Sequence, residues 1–471
     1  MSPRIAVVGA GVSGLTAAFR LRRRLGPDAR IDVYEPGASV GGILTTVDVG
    51  GRSVDVGAEA FIVRRPEAVD LIAELGLTDR VVAPTGARPA VWADGRLHDL
   101  PRPALMGIPA DADAVEGLAD PADVERTRAE AQRPWQWTPG ADPSIGELVA
   151  DRFGPSVVAR SVDPMLGGVY SSLAGDIGVR EALPALAAKL DAGAPGLTAA
   201  VGELVGVSAA SGPVFGTLLG GYRELVDALV AAAAADVRTH SVVTGLSRTS
   251  AGWSLLAGDR DTGAGETYDG VVLAVPAWTA GIILSGVAGE SAAILRSVER
   301  ASSVVVSLAF EPGSVLPQHS GVLVATGEDL HAKAFTFSSR KWAHLDGDGP
   351  VSVRASFGRF GQAVPDDCVE PGVDDRIRRE ALADLDRVCA AAGVPAISAR
   401  LADHRVQRWT NGLPRYAPGH LAAMADAYAA RPEGVVLAGS AYAGVGVPAC
   451  IGQATRAVDD LLADLDRDRS T

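Results

Sequence analysis

Gly9, Gly11 and Gly14, with Glu35 following 21 residues after the last of them, are spaced to grip a dinucleotide. Gly9 permits a tight turn and Gly11 lets backbone amides approach a pyrophosphate with no Cβ between them. Val12 and Ser13 belong to the same cofactor-binding turn, and Gly14 lets the helix 15–24 pack closely on its strand. Phosphates held there meet the unsatisfied N–H groups and the positive end of a helix dipole. Glu35 can accept hydrogen bonds from ribose hydroxyls, and its charge repels a 2′-phosphate, so FAD or NAD is favoured over NADP. A second glycine pair, Gly41-Gly42, and the turn Gly57-Ala58-Glu59-Ala60-Phe61 come soon after. That arrangement suits an FAD lying extended along its site.

The elements needed to position these groups are legible. The apolar run Arg4–Val8 and the segment Ile31–Glu35 flank an alanine-rich helix, 15–24, which makes a βαβ unit. A helix is expected at Pro66–Leu75, and Asp94-Gly95 turns a hairpin within Val91–Pro101. Residues 103–135 read as loops with one charged helix, where Glu125 and Arg128 mark a solvated face. Helical patterning runs from Ser144 to about Lys189, with breaks expected at Pro155, Pro164 and Gly167-Gly168. Gly220-Gly221 precedes a helix leading into Val237–Val243, and Val271–Pro276 is a buried strand; together they return the chain to the nucleotide sheet. Residues 300–360 alternate as strands of an antiparallel sheet. Gly434–Gly439 is a buried strand, and a helix closes the chain at 450–465.

Composition narrows the class. A chain of 471 residues should form more than one core. A net charge of −14 argues against a nucleic-acid surface. Cys368, Cys389 and Cys450 are odd in number and lack CxxC spacing, so they are expected as small core residues in a reducing compartment, with no disulfide framework and no metal site. The nucleotide strand begins at once and no apolar run reaches membrane-spanning length, which predicts a cytoplasmic protein and leaves peripheral membrane contact open. No His–Asp or Cys–His catalytic constellation stands out, and His98, His331 and His420 are expected to be structural.

Over nearly its whole length the chain resembles the flavin-dependent protoporphyrinogen/coproporphyrinogen oxidases, within the amine-oxidase-like FAD superfamily. The matching stretches are the N-terminal fingerprint, Asp55–Phe61, Gly95–Pro101, Gly168-Val-Tyr170, Gly220-Gly221, Phe335–Trp342, Leu413-Pro-Arg-Tyr416-Ala-Pro-Gly-His420, and Leu437-Ala-Gly439 through Cys450-Ile. Two departures are Ile43, where the family often has a basic residue, and Ala449, where it often has Asp. The first bears on a contact near the pyrophosphate and the second on one near the ribityl chain. The resemblance implies an α/β (overall α+β) chain with a Rossmann-like FAD-binding domain of discontinuous segments, 1–85, 214–287 and 426–471. It also implies a substrate domain with an antiparallel or mixed sheet, 86–102, 191–213 and 288–425, and an inserted helical domain, 103–190. FAD would be non-covalent. Gly439 would reach its pyrophosphate and ribityl chain, Gly446-Val447-Pro448 its ring, and Val243 its adenine.

The implied reaction is a six-electron oxidation of a porphyrinogen to a porphyrin in three cycles. Each would pass a hydride from a meso carbon to the flavin, release an N–H proton and reduce dioxygen to hydrogen peroxide. The flavin carries the hard chemistry, so no catalytic side chain is expected; the protein orients the substrate and excludes water. The pocket should be apolar on both ring faces and cationic at the propionates. Leu323 and Phe337 are the candidates for the faces. Arg64, Arg65, Lys333, Arg340 and Lys341 are the candidates for the carboxylates, Arg as a bidentate fork and Lys as a point charge. The chain has only three lysines, and two fall in this one segment. Tyr170 is a further substrate-side candidate, and Trp409 a pocket candidate on the cofactor side. Arginine in excess over lysine, with much Ala, Gly and Asp, resembles GC-rich actinobacterial chains, whose members of this family are similar to coproporphyrinogen III oxidases. That favours coproporphyrinogen III over protoporphyrinogen IX. An amine or polyene oxidase is disfavoured because Tyr442 alone supplies an aromatic near the ring, and a non-catalytic flavoprotein scaffold is the remaining alternative. The chain is expected as a monomer or homodimer, with a haem-pathway enzyme as a further contact.

Overall fold

The computed structural model describes residues 2–208, 212–257, 266–364 and 370–468. Cys368 lies outside these residues; Cys389 and Cys450 are free thiols in the core.

A five-stranded sheet runs in the order 236–238, 30–34, 4–8, 270–273, 435–437, with every neighbouring pair parallel. Alternate residues serve its two faces. Ile5, Val7, Ile31, Val33, Val272 and Val436 pack with the helices Val12–Leu25 and Val447–Asp468. Ala6, Val8, Tyr34, Val271, Leu273, Val435 and Leu437 pack on the opposite side with Trp253 and Ile283. Burial on both faces is why these strands read as unbroken apolar runs. Of the expected return segment Val237–Val243, only Asp236–Arg238 joins the sheet. His240 turns the chain with a left-handed φ of 53°, and Val243 begins a separate hairpin, Val243–Thr249 with Gly252–Ala257.

A seven-stranded sheet has the order 401–414, 300–310, 351–357, 334–336, 321–324, 90–93, 96–99. Only the pair 321–324 with 90–93 is parallel, so the sheet is mixed. The helix Val373–Ala391 covers one face through Ile377, Leu385 and Val388.

Between the strands at 96–99 and 215–218 the chain is mainly helical around a core of its own, which Leu197, Ala200 and Val201 of the helix Leu197–Ser208 also join. Gly154, with φ 102°, ends the helix Ile145–Phe153, and Pro155 starts the next run, as expected. The breaks expected at Pro164 and Gly167-Gly168 do not occur. Pro155 to Tyr170 is one helical body with a π turn at Val158–Val162, and Pro164 lies in the first turn after it. The wider turn shifts the hydrogen-bond register just where proline has no N–H to give. Tyr416 and Val445, distant in sequence, complete this helical core.

Candidate active site

The glycine turn separates two kinds of glycine. A Cβ on Gly9 would stand 2.4 Å from the Ala274 carbonyl oxygen, and one on Gly14 would stand 1.8 Å from that of Gly9. These two are required by the protein's own packing. Gly11 has extended backbone (φ −75°), and an added Cβ there meets nothing within 4 Å. Nothing in the protein's own packing demands glycine at that position, and the open space there has room for a group outside the chain. It faces the first turn of the helix Val12–Leu25, whose leading N–H groups have no intrahelical acceptor.

The second glycine pair is joined directly to this space. Gly41 N donates to Ala10 O at 2.8 Å, and a Cβ on Gly42 would lie 3.2 Å from Gly11 Cα. The Glu35 carboxylate accepts from Ala10 N at 2.9 Å and from Gly37 N at 2.8 Å. Each oxygen keeps lone-pair capacity for a ribose hydroxyl. Glu35 N donates to Arg238 O, and Ser241 N donates to Glu35 O. The chain that carries buried Val243 is thereby fastened beside Glu35. Ile43, in place of a basic residue, uses its carbonyl to accept from Ala58 N.

The opposite wall is held by Tyr416, to which the sequence assigned no role, and by His420, a structural histidine as expected. Tyr416, buried, donates to Ser440 O at 2.6 Å and accepts from Gly444 N at 2.7 Å. His420 Nε2 donates to Ala441 O at 2.7 Å, and its ring lies 4.4 Å from that of Tyr416. Burial holds the imidazole below its ordinary pKa. The two therefore fix the loop that leads from Gly439 to Gly446-Val447-Pro448. The visible signal was their four-residue spacing in Tyr416-Ala-Pro-Gly-His420. Cys450, in the first turn of the last helix, directs its Sγ to Gly444 O at 3.9 Å. Ala449 is buried against Gly444.

Beneath the Gly57–Phe61 turn, Trp409 donates from Nε1 to Val56 O at 2.8 Å. A Cβ on Gly57 would meet the Ile43 carbonyl oxygen at 1.9 Å. The Glu59 carboxylate accepts from Lys341 Nζ and from Ser338 Oγ, each at 2.7 Å, with Arg354 Nη1 3.8 Å away. Burial alone would lift this carboxyl, but Lys341, Arg354 and Ser338 outweigh it and hold it at about 2. Arg354 also donates to Gly57 O at 2.6 Å. Lys341 is thus paired with another expected site residue.

The remaining expected residues fall in different places. Tyr170 ends the helix Asp163–Tyr170, its ring 5.7 Å from that of Tyr416, and burial pushes its hydroxyl up to about 12. Leu323 lies 3.7 Å from where a Cβ on Gly168 would be. Lys333, 7 % exposed, donates to Ser171 Oγ and to Gly358 O, each at 2.6 Å. Phe337 is fully buried with Val322, Val324 and Phe335. Strand alternation sends Leu323 to the other face, so the sheet parts the two residues expected to flank the ring. Arg340 donates weakly to Leu316 O at 3.4 Å. Arg64 and Arg65 are exposed; Arg64 donates to Gly212 O at 3.0 Å and Arg65 pairs with Glu67 at 2.6 Å. His98 is bonded to Ala93 O and His331 to Asp384, as expected of structural histidines.

Residues 12–462 match the family described as flavin containing amine oxidoreductase. The chain is 47 % identical over 461 residues to the coproporphyrinogen III oxidase of Mycobacterium leprae, covering 98 % of each. It is 46 % identical over 469 residues to that of Mycobacterium bovis, covering 99 % of each. A crystal structure from Exiguobacterium sp., assigned the name protoporphyrinogen oxidase, superimposes with a TM-score of 0.84 at 25 % identity, covering 99 % of each chain.

Proposed function

The chain belongs to the flavin containing amine oxidoreductase family, and from that footing we propose that it is a haem-biosynthetic oxidase converting coproporphyrinogen III to coproporphyrin III. FAD is its cofactor. The observation that carries the substrate is the near full-length likeness to the mycobacterial coproporphyrinogen III oxidases.

Bound FAD supplies a two-electron acceptor that dioxygen regenerates. Three such cycles consume three dioxygen molecules, release three hydrogen peroxide molecules and remove six electrons and six protons from the macrocycle. The chain's own task is binding and exclusion. Gly11, Val12, Ser13 and Gly42 border the pyrophosphate cradle, Glu35 holds ribose hydroxyls, and Val243 lies along adenine. Gly439, Gly446, Val447 and Pro448 approach from the other wall, with Ala58 and Trp409 backing the turn between. Tyr170 and Leu323 bound the macrocycle, and Lys333 meets a carboxylate. Lys341, paired with Glu59, and Arg340 line the adjoining edge, while Arg64 and Arg65 guide the anionic substrate from the surface. We keep the division into FAD-binding, substrate and helical parts expected from sequence, and extend the helical part to residue 208 because Leu197, Ala200 and Val201 pack in its core. The likeness to haem-pathway oxidases and the buried free thiols favour a cytoplasmic location. Among the described residues no helix is long and apolar enough to cross a membrane.

Parallel assays test the reading. Coproporphyrinogen III should give fluorescent porphyrin with three peroxide molecules per macrocycle, and faster than protoporphyrinogen IX at saturation. A higher rate on protoporphyrinogen IX would overturn the substrate assignment.

A further inference from the structure

Lys333 differs from the other two lysines in how its charge is met. Lys189 pairs with Glu203 and Lys341 with Glu59. Lys333, the most buried of the three, has no carboxylate within ion-pair distance among the described residues. Its ammonium donates to one hydroxyl and one carbonyl, Ser171 Oγ and Gly358 O, and an ammonium has a third N–H.

Next to Gly358 stands a second under-compensated cation. Arg359 donates from Nη2 to Val324 O at 3.1 Å, while its Nε is buried with no hydrogen-bond partner. The carboxylate that bears on it, Asp163, is committed to Ala174 N and Thr326 Oγ1 and lies beyond ion-pair distance. Burial and mutual repulsion depress Lys333 to about 7, and burial lowers Arg359 as well. A buried ammonium beside a part-buried guanidinium, neither in a direct ion pair, is costly, and an arriving anion relieves that cost.

Two glycines of the helix Asp163–Tyr170 face these groups. A Cβ on Gly167 would stand 3.5 Å from Arg359 Nε, and one on Gly168 would stand 3.7 Å from Leu323 Cδ2. Glycine at both positions lets the helix lie close to Arg359 Nε and to Leu323 with no side chain between them. Tyr170, the next residue but one, touches Tyr416, which holds the loop expected beside the flavin ring.

Resting on the porphyrinogen reading, we propose that Lys333 and Arg359 form a seat for a carboxylate that coproporphyrinogen III carries and protoporphyrinogen IX replaces with a vinyl group. The pair thereby sets the preference between the two. A vinyl group at this position leaves both cations unanswered, the situation in which a polar site rejects an apolar analogue most strongly.

Lys333→Met and Arg359→Gln should each lower kcat/KM for coproporphyrinogen III by about 100-fold, the equivalent of one charged hydrogen bond, mainly through KM. The loss on protoporphyrinogen IX should be smaller, so the ratio between substrates collapses. Arg359→Lys and Lys333→Arg, which keep the charge, should recover much of the preference and stand in if a neutral variant fails to load FAD. Binding of coproporphyrin III and protoporphyrin IX, followed by porphyrin fluorescence in wild type and variants, reads the seat without turnover. Equal losses on both porphyrins, or an unchanged ratio in FAD-loaded variants, overturn the seat. Wild-type protein that binds coproporphyrin III through these residues yet oxidises no porphyrinogen overturns the enzymatic reading instead.

Discussion

At the scale of single residues, Gly11 and Gly14 should fail in different ways when substituted. Gly11→Val meets no protein atom with its Cβ, so the variant should fold and lose FAD affinity at least tenfold, about 1.4 kcal/mol. The ratio of 450 nm to 280 nm absorbance, with circular dichroism as the folding control, checks this. Gly14→Ala drives a methyl into the Gly9 carbonyl and should lower the yield of folded protein as well. Glu59→Gln should strand the Lys341 ammonium. Breaking a buried pair costs about 3–5 kcal/mol; both partners here keep some solvent contact, so a loss near the bottom of that range is expected. Adding Lys341→Met should restore part of the lost Tm, because the two changes act on one interaction. The glycines were legible because each has a steric reason tied to spacing. The Glu59–Lys341 pair was not, since 282 residues separate its members and nothing local records the meeting.

Among elements, the segment from Leu413 to His420 acts as a brace. Tyr416→Phe removes both the bond to Ser440 O and the acceptor for Gly444 N. FAD should then bind roughly tenfold more weakly, about one hydrogen bond's worth, as read by flavin fluorescence titration. The same brace is tied to the helical part through Glu181, which accepts from Leu421 N beside Asp142. Burial, with Asp142 adding to it, raises the Glu181 carboxyl to about 7 from an ordinary 4.5. The folded state therefore favours the protonated acid; this stabilisation is complete below pH 4.5 and is lost as pH rises to about 7. Glu181→Gln should flatten the decline in Tm across that interval. The helix through Pro164 shows where local rules fall short: proline and a glycine pair spell a break, and a π turn accommodates them. The hairpin at Asp94-Gly95, by contrast, formed as its turn chemistry demands.

For the whole molecule, the fold class was readable from the order of motifs, because a buried parallel strand announces itself by composition wherever it lies in the chain. How the lobes meet was not readable. Lys333 reaches Ser171 across 162 residues, and Tyr170 reaches Tyr416 across a still longer interval. Arg359 and Arg354 carried no local mark that set them apart from the chain's many other arginines. A cofactor gripped by widely separated segments should also tie those segments together. Saturating FAD at 100 times its Kd should stabilise the protein by about 2.7 kcal/mol, measurable as a rise in Tm over apoprotein.

The strand order of the parallel sheet also sets a timetable. Its strands 4–8 and 30–34 are made about 400 residues before the strand 435–437 and the helix after it. At roughly 5–20 residues per second, the 425 residues from Gly14 to Gly439 take about 20–85 s to synthesise. Throughout that time the sheet lacks its edge strand 435–437, and the cradle lacks the loop after Gly439. Flavin capture should therefore wait for residues 435–448, and chains halted before residue 435 should emerge colourless.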